Sequence, residues 1–355
     1  MSRFRIETKE LRRMRVAMYY NNRDVRIEYA PVPEIGAREI LVKVWASGIC
    51  GSDVLEWYRL SKAPLVLGHE IAGEIAKVGS EVTGWNVGDR VFVSHHVPCN
   101  MCRFCLDGHE SCCDTLASTN FDPGGFAEYL RVPEINVRNG LYALPDSMTY
   151  EQAVFIEPLA CVYRGQRLAG WKPARRTLII GCGIAGMLHL MLARAVGASR
   201  IAAVDVNEGR LQRAVERGAD IALLAGDHAA DELKARNDNR LFQLVIVSTG
   251  AQSAIQLAFQ CVDRGGVILF FAPTDPGAVA PMPFNELWRK EVTMTSSYAG
   301  SPQDILAAIE LIDSGVIDVL PLVTHRLPLE ATQEGFRLVA EAGAESMKVI
   351  IEPQR

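Results

Sequence analysis

Hydrophobic residues along this chain change their period twice. From Met14 to about Asp146 the apolar positions alternate or run in short stretches, as in Ile40–Trp45, Ile71–Val78 and Arg90–Ser94. Gly and Pro punctuate them at Pro31, Pro33, Gly36, Gly79, Gly84 and Gly88. Short apolar runs between turn-forming residues predict strands. Met14 opens the first, and the first thirteen residues read as a loose extension. From about Thr149 the period lengthens, and Thr149–Ala160 and Val162–Ala169 read as helices. A regular series then begins at Thr177. Strands at Thr177–Ile180, Ile201–Val204, Leu244–Ser248 and Val267–Phe271 alternate with helical stretches, which predicts an α/β unit with a parallel, doubly wound sheet. From about Thr295 the character is mixed, with a helix expected at Pro302–Ser314 and a last strand at Met347–Glu352. A β-rich part, an α/β part and a mixed tail predict one domain interrupted by another: residues 1–155 with 294–355, and residues 156–293 between them.

Composition narrows the class. The chain has 355 residues, 49% of them hydrophobic and 22% charged, enough for two globular domains. Its net charge of −5 and lack of a long basic block argue against nucleic acid as the main partner. No stretch of about eighteen or more apolar residues predicts a membrane span. The basic residues Arg3, Arg5, Lys9, Arg12 and Arg13 are not followed by the apolar core of a secretory signal, so a cytoplasmic location is expected. Nine cysteines, an odd number, five of them between Cys99 and Cys113, suit thiols at metal spacing better than disulfides.

The segment Gly181-Cys182-Gly183-Ile184-Ala185-Gly186 follows an apolar strand and opens an apolar helix, Ile184–Val196, that stops at Gly197. The next strand ends in Asp205, nineteen residues past Gly186. That whole context, rather than the glycines alone, is the dinucleotide fingerprint. Gly181 permits the tight turn, Gly183 lets the backbone approach a pyrophosphate, and Gly186 lets helix and strand pack closely. The helix N-terminus at Ile184 offers free N–H groups and a partial positive charge to phosphates. Asp205 would accept hydrogen bonds from the ribose hydroxyls and repel a 2′-phosphate, which favours NAD over NADP. Arg210 is near enough to assist.

Cys99, Cys102 and Cys105, followed by Cys113, form the most specific spacing in the chain. Four thiolates on short loops close a tetrahedron around Zn2+ with no open position, so the expected role is structural. An iron–sulfur cluster is the runner-up, and the adjacent Cys112 competes as a ligand.

Three further pieces lie far apart: Gly48-Ile49-Cys50-Gly51-Ser52-Asp53, Gly68-His69-Glu70 and Ile156-Glu157-Pro158-Leu159. A thiolate, an imidazole and a carboxylate can hold a zinc ion with an open position, a Lewis acid for an alcohol. Together with the cysteine cluster and the glycine fingerprint, these pieces resemble the zinc-dependent medium-chain dehydrogenases over nearly the whole chain. Within that family, Cys-Gly-Ser-Asp, Ile-Glu-Pro-Leu and Leu322-Val-Thr-His325-Arg326-Leu-Pro328-Leu look most like the sorbitol, polyol and threonine dehydrogenase branch. The resemblance implies a GroES-like catalytic domain beside a Rossmann domain, two Zn2+ per chain, NAD, and a homodimer or homotetramer. It implies Cys50, His69 and Glu70 at the catalytic zinc, with Glu157 able to take Glu70's place. Ser52 passes on the substrate proton, and Cys113 rather than Cys112 completes the structural site.

The implied reaction is oxidation of a secondary alcohol (a polyol, sugar alcohol or cyclic polyol) to a ketone. An amino-alcohol dehydrogenase of threonine type is the alternative, and a non-enzymatic NAD- and zinc-binding relative ranks lower. The chain departs from the family in two places. Leu55 and Glu56 stand where many relatives carry a relay histidine, so the relay ends through the cofactor ribose, water or Glu56. Ser297 and Ala299 flank Tyr298 where polyol dehydrogenases tend to carry an arginine. Trp57, Tyr58, Phe121, Trp288 and Tyr298 are candidates to line the pocket.

Overall fold

The computed structural model describes residues 13–343 and 345–355. The expected N-terminal extension therefore lies outside the described residues, apart from Arg13, which opens the first strand.

In that strand, Arg13–Asn21, Met14, Val16, Ala17 and Tyr19 are buried. It turns back into Asp24–Pro31 and also pairs with the two-residue strand Leu65–Val66. Beside this small sheet, a seven-stranded sheet is built around Ile40–Gly48 and Glu70–Val78. Tyr129–Val132 joins one edge of Ile40–Gly48, and Arg90–Val93 and Leu141–Ala143 continue beyond Glu70–Val78. The strands Val323–Pro328 and Lys348–Glu352 complete the sheet from the far end of the chain, the latter pairing Ile350 with Gly48 and Ile351 with Ser47. The tail thus returns to the β-rich part. Ile40, Val42, Val44, Ile71, Ile75, Val91 and Val93 fill its core, as their alternation requires.

The second unit is a six-stranded parallel sheet. In chain order its strands are Arg176–Ile180, Arg200–Asp205, Ile221–Leu224, Phe242–Val247, Val262–Phe270 and Thr293–Ser296. Their spatial order is third, second, first, fourth, fifth, sixth, the Rossmann arrangement with its crevice where the order reverses. Thr293–Ser296 extends this sheet beyond residue 293, and Ile221–Leu224 is a strand the sequence pattern did not reveal. The helix boundary also moves: Tyr150–Ala153 is one short turn, and the long helix runs Ile156–Leu168. Leu159, Ala160 and Val162 of that helix join a core that includes Ala46, Ala72 and Phe92 from the β-rich part and Ile179, Met187 and Ile246 from the parallel sheet. One continuous core therefore spans both units, and the site lies beside it.

Candidate active site

Cys50 leaves the strand Ile40–Gly48 and caps the turn Gly51–Val54. Its sulfur accepts from the Ser52 N–H at 3.5 Å, and the Asp53 carboxylate accepts from the Cys50 N–H at 3.0 Å. His69 and Glu70 arrive at the head of the neighbouring strand, where Glu70 pairs with Gly48. Lys348 comes in from the C-terminal strand on the other side of Gly48. A Cβ at position 48 would collide with Glu70 Oε2 and come within 2.7 Å of Lys348 Cε. The glycine leaves the space in which Lys348 Nζ donates to Glu70 Oε2, both side chains being buried.

The other oxygen, Glu70 Oε1, is buried with no hydrogen-bond partner. Such an atom costs about 1–3 kcal/mol unless something satisfies it. Donor atoms of Cys50, His69 and Glu70 lie within 4.8 Å of one another. This set fits a zinc ion: three ligand types it favours, an open position, and an orphaned oxygen that a cation would satisfy. His69 Nδ1 lies 3.3 Å from Asp53 Oδ1, which leaves Nε2 as the ring's free donor atom. Burial pulls the His69 pKa down, but the charges of Asp53 and Cys50 outweigh it and hold it well above the usual value. Burial pushes Asp53 up, and His69 and Arg59 reverse that.

Ser52 Oγ lies 3.4 Å from Cys50 Sγ. On its other side is Arg59, whose guanidinium donates to Ser52 O at 3.0 Å, to Ser52 Oγ at 3.2 Å and to Asp53 Oδ1 at 3.2 Å. Glu56 is exposed and accepts from the Asn22 N–H at 3.2 Å.

Glu157 stands outside the group formed by Cys50, His69 and Glu70. Its Oε1 accepts from the Cys161 thiol at 3.4 Å, one helical turn on. Burial pushes its carboxyl pKa up; His69 and Lys348 oppose this, and Glu70 adds to it. Glu157 lines a small pocket with His95, His96, Ala160, Ala299 and Gly300. The His95 ring centroid is 4.8 Å from that of His69 and 3.9 Å from that of His96. Burial, reinforced by neighbouring positive groups, pushes both imidazoles down, His96 to about 4, so both are neutral at pH 7. Tyr298 and Phe121 reach this cluster, their rings 6.1 Å from His96 and 6.3 Å from His95. Trp57 packs on Tyr58, and Trp288 pairs with Asn285 and Arg289 of its own helix.

The four-cysteine lobe closes on itself. Donor atoms of Cys99, Cys102, Cys105 and Cys113 lie within 4.8 Å of one another, whereas Cys112 is exposed and outside the group. Burial pushes the Cys113 thiol up, but N–H groups of Cys99 and Leu116 bring it down to about 6. N–H groups of Met101 and Cys102 lower Cys99 too, while burial pushes Cys105 up to about 12; an all-sulfur set drawn this close fits a closed zinc site.

In the nucleotide unit Gly181 has φ +91°, and a Cβ at Gly186 would overlap the Gly181 carbonyl oxygen. A Cβ at Gly183 would meet only Arg210 Nη1, at 3.9 Å, so the backbone there is open to an incoming phosphate. Asp205 Oδ2 accepts from the Cys182 N–H at 2.6 Å and Oδ1 from the Asn207 N–H at 2.9 Å. The carboxylate therefore also pins the glycine turn. Arg210 donates to Ala342 O at 2.8 Å.

Sequence reasoning left Asp53, Arg59, His95, His96 and Lys348 without roles. Two adjacent histidines just past a strand were the one visible signal. Arg59 reaches Ser52 and Asp53 from the following helical turn, and Lys348 arrives only through long-range strand pairing.

A Rossmann sheet set into a β-rich domain with these two donor sets defines a zinc-containing, NAD-linked dehydrogenase, and the chain belongs to the zinc-dependent medium-chain dehydrogenase family. Residues 36–146 match the alcohol dehydrogenase GroES-like domain, and residues 185–314 the zinc-binding dehydrogenase domain. The chain is 32% identical to a sorbitol dehydrogenase of Bacillus subtilis (strain 168), over 96% of this chain and 98% of that one. It is 34% identical to a sorbitol dehydrogenase of Bombyx mori, over 95% and 98%. An alcohol dehydrogenase from Escherichia coli CFT073, solved with NADH, superposes with a TM-score of 0.86 at 26% identity, covering 96% of this chain and 99% of that one.

Proposed function

We propose that this chain oxidises a neutral secondary alcohol of the polyol class, a sugar alcohol or cyclic polyol, to a ketone. The observation that carries this is the group of Cys50, His69 and Glu70 with its unsatisfied carboxylate oxygen, beside a pocket walled by two neutral imidazoles. Bound zinc supplies a Lewis acid for the substrate oxygen, and bound NAD+ supplies the hydride acceptor. Cys50, His69 and Glu70 hold the catalytic zinc, and Lys348 offsets part of the Glu70 charge. Glu157, held back by Cys161, stands by as the alternative carboxylate. Ser52 Oγ takes the hydroxyl proton of the substrate. Arg59 offers only donors and has no lone pair to take that proton, but it fixes the serine by occupying one of its lone pairs. The proton then leaves Ser52 toward solvent rather than to Glu56, which is turned toward Asn22. Cys99, Cys102, Cys105 and Cys113 hold the structural zinc. Gly181, Gly183, Ile184 and Gly186 cradle the pyrophosphate, with Asp205 and Arg210 toward the adenosine end.

The protein works in the cytoplasm as a homodimer or homotetramer. Exposed Met282, Phe284, Trp288 and Met294 near the end strand Thr293–Ser296 support the assembly. Among the described residues no helix is long and apolar enough to cross a membrane. A panel of acyclic polyols, cyclic polyols and L-threonine, scored by NADH formation, tests the substrate class. Neutral polyols are expected to lead. A clear preference for threonine would favour the amino-alcohol reading, and no turnover on any alcohol would reject both.

A further inference from the structure

The helix Ile156–Leu168 carries Glu157, Cys161 and Arg164 at spacings of four and three, so they project from one side. Glu157 faces the pocket and is held there by Cys161. Arg164 is only 1% exposed although it is permanently charged, and nothing in the hydride chemistry requires it there. Burying a guanidinium is costly unless acceptors offset it; here both Nη atoms find acceptors, while Nε is buried without one. Arg164 Nη1 donates to Glu110 Oε2 at 2.7 Å, and Nη2 to Gly108 O at 3.1 Å. Both acceptors lie between Cys105 and Cys113, inside the four-cysteine lobe. Nη1 also reaches the fully buried Asp304 Oδ2 at 3.5 Å.

Asp304 accepts from Arg167 Nε at 3.0 Å and closes a capping box with Ser301, taking its N–H at 2.9 Å and its hydroxyl at 2.7 Å. Ser301 directly follows the Ala299–Gly300 wall of the pocket. Gly300 lies so close to the helix that a Cβ there would meet Ala160 Cβ at 2.8 Å. The two guanidiniums and two carboxylates balance, and together they join three segments: the lobe, the helix bearing Glu157, and the pocket wall.

We infer that Arg164 is a positioning residue for the substrate pocket, through which the four-cysteine lobe sets where Glu157 and the Ala299–Gly300 wall stand. The lobe is then a strut for specificity as well as for stability. A lysine at 164 would keep the charge but not the fork that serves several acceptors at once. The inference rests on the reading of that pocket as the alcohol site.

The test compares full-length, zinc-loaded wild type with Arg164→Met, Arg164→Lys and Glu110→Gln. Glu110 sits at the outer end of the network, so its variant folds even if Arg164→Met does not. In Arg164→Met and Glu110→Gln the KM for the alcohol is expected to rise about fivefold or more, with kcat within about twofold and NAD+ affinity unchanged. Arg164→Lys recovers part of the loss. Amide hydrogen exchange is expected to quicken in residues 156–161 and 299–304 and to stay unchanged in 181–205. A fall in melting temperature with KM and exchange at 299–304 left at wild-type values would overturn the inference. If wild type turns over no alcohol, the substrate reading fails, and the exchange measurement still decides the coupling by itself.

Discussion

Asp53 lies beside His69, and Arg59 donates to both Ser52 and Asp53, so in the proposed relay Ser52 is the residue of the three that exchanges the substrate proton. Removing the hydroxyl should therefore remove proton transfer without disturbing the metal. Ser52→Ala is expected to lower kcat about 10²–10⁴-fold, with zinc content by elemental analysis and NAD+ binding by fluorescence both unchanged. Asp205 is a different case, because its oxygens already accept the backbone N–H of Cys182 in the glycine turn and that of Asn207. Asp205→Ala forfeits those charge-assisted bonds, about 1.5–3 kcal/mol each. It should weaken NAD+ binding by about tenfold to a hundredfold, as titration calorimetry would show. An affinity equal to wild type would mean that the carboxylate serves neither the turn nor the ribose.

At the scale of elements, the glycine turn and the cysteine lobe make their own predictions. Gly186→Ala places a methyl group on the Gly181 carbonyl oxygen, an overpacking of about 1–3 kcal/mol. It should impair NAD+ binding before it impairs folding, which paired binding and thermal-melt measurements would separate. In the lobe, Cys113→Ser is expected to drop the zinc count from two to one and lower the melting temperature by several degrees, whereas Cys112→Ser leaves both unchanged. The opposite pattern would exchange the two cysteines' roles.

Local elements were readable in the sequence where chemistry forces a spacing. The thiolate run and the strand-glycine-helix unit both announce themselves within about twenty residues. The short strand Ile221–Leu224 and the break at Val154–Phe155 were not readable, because each has an ordinary apolar composition and is fixed by tertiary packing. Arg59 and Lys348 were hidden for a related reason. One reaches the site across a loop, the other across a strand pairing some three hundred residues long in sequence.

On the scale of the whole molecule, the last strand carries the argument. Lys348–Glu352 joins the first domain's sheet only after the chain has completed the parallel sheet, so the Glu70 carboxylate is paired with a residue from a distant part of the chain. The single core spanning both units lets the helix bearing Glu157 pack on the parallel sheet while it lines the pocket. The two donor groups share no residue, so zinc held by the four cysteines should survive loss of zinc held by Cys50, His69 and Glu70. The most direct test is the rate of NADH formation on a neutral polyol by wild type and by Cys50→Ser, with zinc counted in both samples. Wild type should carry two zinc ions and turn over. Cys50→Ser should keep one zinc and its NAD+ affinity but show no turnover. Undiminished turnover in Cys50→Ser, or turnover by wild type stripped of zinc, would contradict the assignment of this site.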